Sequence, residues 1–324
     1  MILRDAAPPF TREGPCVRSM LGWTLFGLFI LLVVPTVRYG PRPVTMACAA
    51  MLTCLLCELL ANLLQTGRFF VTDPSPLVTG MICVMLMPLN APLWLPCAAG
   101  AFAILIAKAP FGPFGRTPFN PAAAGVAFTA LCWPSLVFTY FDPSQPYVLP
   151  AFGPCVFREG QSAAAVLKDG LKPDILPLDL LWNPIAGPLA SGLALVVAAG
   201  GLLLFLSGSA HWEPTAFFLG VTALLAALFP RIACSPLTSV KYELLSGSLL
   251  FCAVFMVSNP VCEPRSRTGR CIYGALAGAL LMVFRYFGQY EQGAVFAVLA
   301  ADAVSPLLSA AVEHLRGWEA KAHE

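Results

Sequence analysis

The chain of 324 residues is 58% hydrophobic and 11% charged, with a mean hydropathy of +0.77. That make-up excludes an ordinary soluble enzyme and identifies a polytopic membrane protein. A net charge of +2 without a long Lys/Arg run gives no phosphate-tracking surface for nucleic acid.

Met1 to Arg18 carries both signs of charge and no apolar stretch of signal-peptide type, so the first span is expected to direct insertion. Apolar runs of about 17–25 residues are read as spans. The first two cover Met20 to Val37 and Val44 to Leu64, joined by the basic, proline-marked turn Arg38 to Arg42. Asp73-Pro74-Ser75-Pro76-Leu77-Val78-Thr79-Gly80 then leads into a run stopped early by Pro88, which reads as a broken or half-length helix. A fourth span covers Leu93 to Ile106 and a fifth Pro121 to Tyr140. Charges gather from Phe141 to Asn183, a loop without the apolar content for its own core. Asn183-Pro184 opens a sixth span to Leu206, and Thr215 to Phe229 forms a seventh. Another short run begins at Leu244-Leu245-Ser246-Gly247 and ends at Ser258-Asn259-Pro260. Cys271 to Tyr286 and Gly293 to Val312 complete the set.

The expected fold is an all-α polytopic membrane protein of about ten transmembrane helices in two five-helix repeats with short or broken helices. Two short runs broken at proline, Gly80 to Pro88 and Gly247 to Pro260, support the repeat. So do two spans ending in Phe-Gly, Gly100 to Gly115 and Gly274 to Gly288. The divisions are a cytoplasmic segment (1–19), a first membrane half (20–140), an extracytoplasmic loop (141–184), a second half (185–312) and a cytoplasmic tail (313–324). This orientation, N-terminus inside, rests on a mild positive-inside bias.

The stretch Gly115-Arg116-Thr117-Pro118-Phe119-Asn120-Pro121-Ala122 starts a helix amid apolar sequence. Asn120 reads as its N-cap and Pro121 as its first residue, which makes a small positive pole. At membrane depth such a pole is tolerated where it is buried in protein or lines a cavity, so it marks a site; a short loop capped for stability is the competing reading. Glu58 and Asp302 stand inside spans, where an ionisable group is expensive, and are candidates for ion handling or for hydrogen bonds to neighbouring helices. Lys108 and Arg285, near span ends, are expected to snorkel outward. The twelve cysteines lie mostly in apolar runs and read as packing residues, the Cys54–Cys57 CxxC included. Among His211, His314 and His323 there is no metal-ligand set, and no catalytic motif is visible, so any redox chemistry must come from a cofactor.

The blocks from Asp73 to Gly80 and from Gly115 to Ala122, with Lys108, Leu244 to Gly247, Phe255-Met256 to Pro260, and Phe287-Gly288 through Leu299, resemble the D subunit of the Rnf electron-transport complex. That family is related to the B subunit of the sodium-pumping NADH:quinone oxidoreductase. The resemblance runs from about residue 20 to 312. It implies a subunit of the bacterial cytoplasmic (inner) membrane that relays electrons through flavin while the complex moves Na⁺ or H⁺. The implied partners are other membrane subunits and iron–sulfur and flavin subunits. It also implies a noncovalent flavin, riboflavin or FMN, at the Phe119-Asn120-Pro121 core; since a ring that gains an electron needs donors nearby, Ser75, Thr79, Lys108, Arg116 and Asn120 are expected to hold its polar edge. Family members carry a second FMN esterified to the threonine of a Ser-Gly-Ala-Thr motif. The matching segment here is Ser162-Ala163-Ala164-Ala165, so Ala165 stands at the acceptor position, Ser162 is displaced from it, and covalent FMN is not expected. Trp182 to Pro188 also departs from the family pattern, and Asn259 and Asp302 stand where Asp and Asn are usual. A flavin-free permease or channel for a small solute and a purely structural subunit are the alternative readings.

Overall fold

The computed structural model describes residues 17–67, 69–71, 73–112, 117–143, 149–153, 157–176, 179–182, 185–232, 234–260 and 262–322. In the first half, helices α1 (Val17–Tyr39) and α2 (Arg42–Thr66) are full-length, and α3 (Ser75–Met85) is a half-helix. Helix α4 (Trp94–Phe102) continues through a π-helical turn, Ala103–Lys108, into a 3₁₀ turn, Ala109–Phe111. Helix α5 (Pro121–Cys132) breaks before the short α6 (Pro134–Val137), since Pro134 cannot continue the hydrogen-bond ladder. The connecting segment pairs β1 (Tyr140–Phe141) antiparallel with β2 (Glu159–Gly160) and adds the short α7 (Ala163–Lys168) and α8 (Asp179–Trp182).

The second half holds α9 (Ala194–Leu206), α10 (Trp212–Leu228), α11 (Pro236–Leu245), α12 (Leu249–Cys252) extended by a π-helical turn at Ala253–Val257, α13 (Arg267–Phe287) and α14 (Ala294–Ala322). Five helices are long and apolar enough to cross a membrane, a sixth candidate is the α11–α12 pair bent by 66°, and α3, α5, α9 and α10 are shorter apolar helices. The all-α polytopic expectation therefore holds, with ten apolar segments among the described residues.

The last helix runs on to Ala322, ten residues past Val312, and three earlier boundaries also differ clearly from the sequence reading. The fifth segment ends its main helix at Cys132, eight residues before Tyr140. The sixth becomes helical only at Ala194; residues 185–193 are turns, and Asn183-Pro184 lies outside the described residues. The eighth begins earlier, at Pro236, as a separate helix bent away from the apolar run.

The breaks are satisfied internally, as backbone at membrane depth must be. Ala190 N–H donates to Met85 O and Leu189 N–H to Met87 O, both at 2.9 Å, so the frayed end of α3 and the non-helical approach to α9 complete each other. Buried Arg42 donates to Leu89 O at 2.9 Å and Ala91 O at 2.8 Å, tying the rest of that break to the start of α2.

The two halves repeat one packing order. Helix α2 lies on α3 and α4, and α4 on α5; likewise α10 lies on α11 and α13, and α13 on α14. Helix α1 meets α9, and α5 meets α14, across the junction. Small residues allow the close crossings that membrane helices use. A Cβ on Gly125 would stand 2.2 Å from Ala99 O, and one on Gly274 would stand 2.2 Å from Pro214 O. Leu28, Leu31, Met46, Met81, Phe251 and Phe255 belong to one buried core that draws on both halves.

Candidate functional site

The N-terminus of α5 takes the form expected from Asn120-Pro121. Asn120 is extended (φ −67°, ψ 117°), its side-chain oxygen accepts from Ala122 N–H at 3.1 Å, and Pro121 fills the first helical position. The pole it creates faces Asp302 of α14. Asn120 N–H donates to Asp302 Oδ2 at 2.8 Å, and Tyr273 of α13 donates its hydroxyl to Oδ1 at 2.6 Å. Asp302 is 0% exposed. A carboxylate at a helix N-terminus with two strong donors is electrostatically compensated, which is how it is held in an apolar interior.

Lys108 is buried, against the snorkelling expected of it. Its Nζ donates to Glu58 Oε1 and to Ser75 Oγ, both at 2.8 Å, with the Lys108 and Glu58 side chains 4% and 8% exposed. The π-helical turn rotates Lys108 inward, and a glutamate on α2 compensates the charge. Arg285 departs from the sequence reading in the same way. Buried in the second half, it donates to Glu243 Oε2 at 2.6 Å and to Ser246 O at 2.9 Å, while Arg231 donates to Glu243 Oε1 at 2.8 Å. In both cases a neighbouring helix supplies a carboxylate, and pairing replaces the solvent that snorkelling would have reached. Only an isolated cation has to move outward.

Between the halves lies a cleft with a cavity volume of about 50 Å³, partly open to the exterior. Ser75 and Thr79 of α3, Lys108, and Asn120 line one side; Ser209, Ser258 and Asn259 line the other. Leu21, Val78, Ile82, Leu204, Val254 and Phe255 form apolar walls. Four of the five residues the sequence nominated for one ligand thus share one cavity, and Arg116 lies outside the described residues. Asp302 adjoins it through Asn120; Glu58 adjoins it through Lys108.

Asn120 Nδ2 is buried with no hydrogen-bond partner. An unmet buried donor costs about 1–3 kcal/mol, so a ligand offering an acceptor there gains by that much. Thr79 Oγ1 donates back to Ser75 O at 3.0 Å, which leaves its oxygen lone pairs available to the cleft. Apolar walls with a few convergent polar groups are the usual make-up of a small-molecule site.

The family described as "NQR2, RnfD, RnfE family" matches residues 5–316. The chain belongs to this family. Among its curated relatives, the D subunit of the ion-translocating oxidoreductase complex of Klebsiella pneumoniae is 31% identical, covering 95% of this chain and 97% of that protein. The protein of the same name from Escherichia coli is 30% identical, covering 95% and 96%. That from Actinobacillus succinogenes is 28% identical, covering 93% of each. With this membership and its apolar helices, the chain is a multi-pass membrane protein.

Sequence reasoning missed Tyr273, Ser209 and Glu243. Nothing local marks Tyr273 as the partner of Asp302, because 29 residues separate them. Glu243 carried a signal, an acidic residue just before a short apolar helix.

The region of Ser162 and Ala165 lies apart from the cleft. Ser162 caps α7, accepting from Ala165 N–H at 3.0 Å, and its hydroxyl donates to Glu291 Oε2 at 2.6 Å.

Proposed function

We propose that the protein is the membrane subunit of an ion-translocating oxidoreductase complex, and that the cleft between its halves holds a noncovalent flavin, riboflavin or FMN. Electrons would pass through it while the complex moves Na⁺ or H⁺. The observation that carries this reading is the convergence of Ser75, Thr79, Lys108 and the unpartnered Asn120 amide on one apolar-walled cavity. The bound flavin would supply the electron-accepting centre that no side chain here provides.

The chain's own residues bind and orient. Lys108, fixed by Glu58 and Ser75, would supply positive charge to a bound ring that gains an electron. Asn120 donates from the helix pole. Val78, Ile82 and Phe255 would exclude water from a flavin held in the cleft. The names of the relatives support partnership with other subunits, and the family resemblance extends this to iron–sulfur and flavin subunits in a bacterial cytoplasmic membrane.

A covalent FMN finds no support at the loop. Ala165 has no hydroxyl to esterify, and the hydroxyl of Ser162 is committed to a helix cap and to Glu291. This subunit, separated from the complex in mild detergent, is expected to show flavin absorbance that acid releases into solution and to give no fluorescent band in a denaturing gel. A colourless subunit refutes the cleft reading; a fluorescent band refutes the assignment of Ala165.

A further inference from the structure

Two buried carboxylates adjoin the cleft, and their charges are compensated differently. Glu58 lies 2.8 Å from the ammonium of Lys108, so beyond its own contacts that pair acts as a dipole. Asp302, among the described residues, forms no ion pair with a lysine, arginine or histidine. Its oxygens accept instead from Asn120 N–H at 2.8 Å and from the Tyr273 hydroxyl at 2.6 Å. These contacts suit the ionised form, since a backbone N–H can only donate and the tyrosine has a carboxylate oxygen as its acceptor. Hydrogen bonds and a helix pole of about half a unit charge make the carboxylate tolerable without cancelling it. A negative charge therefore stands behind the cleft wall, fully buried and little screened by salt.

The same carboxylate fixes the wall itself. Asn120 is held at two points, its N–H by Asp302 and its Oδ1 by Ala122 N–H at 3.1 Å, which leaves the amide Nδ2 as its one unpartnered donor. Three residues further along α14, Ser305 donates to Cys262 O at 2.7 Å, two residues beyond the cleft-lining Pro260. Helix α14 thus anchors a polar segment on each side of the cleft, and Asp302 is the anchor that also carries charge.

We propose that Asp302 is a positioning residue for the cleft's ligand: through Asn120 it fixes a donor in the wall, and its uncancelled charge makes the ligand harder to reduce. The proposal rests on the flavin reading of the cleft. Coulomb repulsion from a buried carboxylate is felt over several ångströms in the weakly polar interior, far more strongly than in water. Lys108 acts over a shorter range, because Glu58 offsets its field within one contact. A neutral oxidised ring meets no such repulsion, so the charge of Asp302 bears on reduction and its hydrogen bond to Asn120 bears on binding.

The test uses the full-length chain in mild detergent, loaded with riboflavin and titrated with a reductant at about pH 8. Asp302→Asn keeps the shape, its oxygen accepting from Asn120 N–H and its amide donating to the Tyr273 oxygen, and removes only the charge. Riboflavin affinity should stay at the wild-type value while the equilibrium moves about tenfold toward the reduced form per electron, a rise of about 59 mV in midpoint potential. Tyr273→Phe keeps the charge and should not raise the potential, which a general loosening of the site would not reproduce. Asp302→Ala also removes the acceptor and should weaken riboflavin binding roughly tenfold. Infrared difference spectra between the wild type and Asp302→Asn should carry an ionised carboxylate band. An unchanged midpoint or lost riboflavin in Asp302→Asn, full affinity in Asp302→Ala, or a protonated carboxyl band overturns the role of Asp302 while leaving the cleft reading in place. Should Asp302→Asn fail to fold, Asp302→Ser supplies an uncharged acceptor and is judged by the same midpoint. A wild-type chain that takes up no riboflavin refutes the cleft reading, and this proposal with it.

Discussion

Removing one member of the Glu58–Lys108 pair tests whether charge pairing inside the bundle holds α2, α3 and the π-helical turn together. At 2.8 Å the attraction is roughly 6 kcal/mol at an effective dielectric constant of about 20. With both side chains almost fully buried, screening by solvent subtracts little. Breaking a buried pair from one side costs about 3–5 kcal/mol, since the surviving charge keeps its desolvation penalty. Glu58→Gln is therefore expected to destabilise by that amount. The double variant Glu58→Leu with Lys108→Met is expected to recover most of it, because buried pairs replaced by apolar side chains are often neutral in effect. Thermal unfolding in detergent, followed by the loss of monodisperse protein, gives the cycle. The double variant should still lose flavin, because Lys108 lines the cleft. A coupling below about 1 kcal/mol, as for an exposed ion pair, would refute the compensation argument.

Gly274→Ala places a methyl group 2.2 Å from Pro214 O and should cost about 1–3 kcal/mol by forcing α10 and α13 apart, read as a lower unfolding temperature. Tyr273→Phe removes a donor from the Asp302 carboxylate and should cost about 1.5–3 kcal/mol, with Asp302→Asn partly suppressing that loss in a double-mutant cycle. The Glu263 carboxyl, raised to about 8 in the folded protein, binds its proton there more tightly than in the unfolded chain. Its contribution to stability is thus full below its unfolded pKa of about 4.3 and falls as pH rises toward 8. Unfolding temperature should decline across that window in the wild type and less steeply in Glu263→Gln.

The sequence alone suffices for the class of the protein, because long apolar runs in a 58% hydrophobic chain satisfy their backbone in a bilayer as helices. It also located the α5 N-terminus, since Asn-Pro at a helix start is a local signal whose geometry depends on the residues within one turn. Ser75, Thr79, Lys108 and Asn120 were legible as one set through family resemblance, and the fold brings them to one cavity.

The partner that compensates each buried charge depends on how the helices pack. The partners lie far away along the chain: Glu58 and Lys108 are 50 residues apart, Asn120 and Asp302 182. Local hydropathy treats a lysine near a span end as free to reach the interface, whereas a carboxylate on the neighbouring helix keeps Lys108 inside. The same holds for Arg285 and Glu243, and for the non-helical stretch before α9, whose amides find their acceptors at Met85 and Met87. Hydrophobicity and capping act within a few residues and can be read from sequence; the pairing of buried polar groups depends on which helices meet, and packing of the two halves alone fixes that.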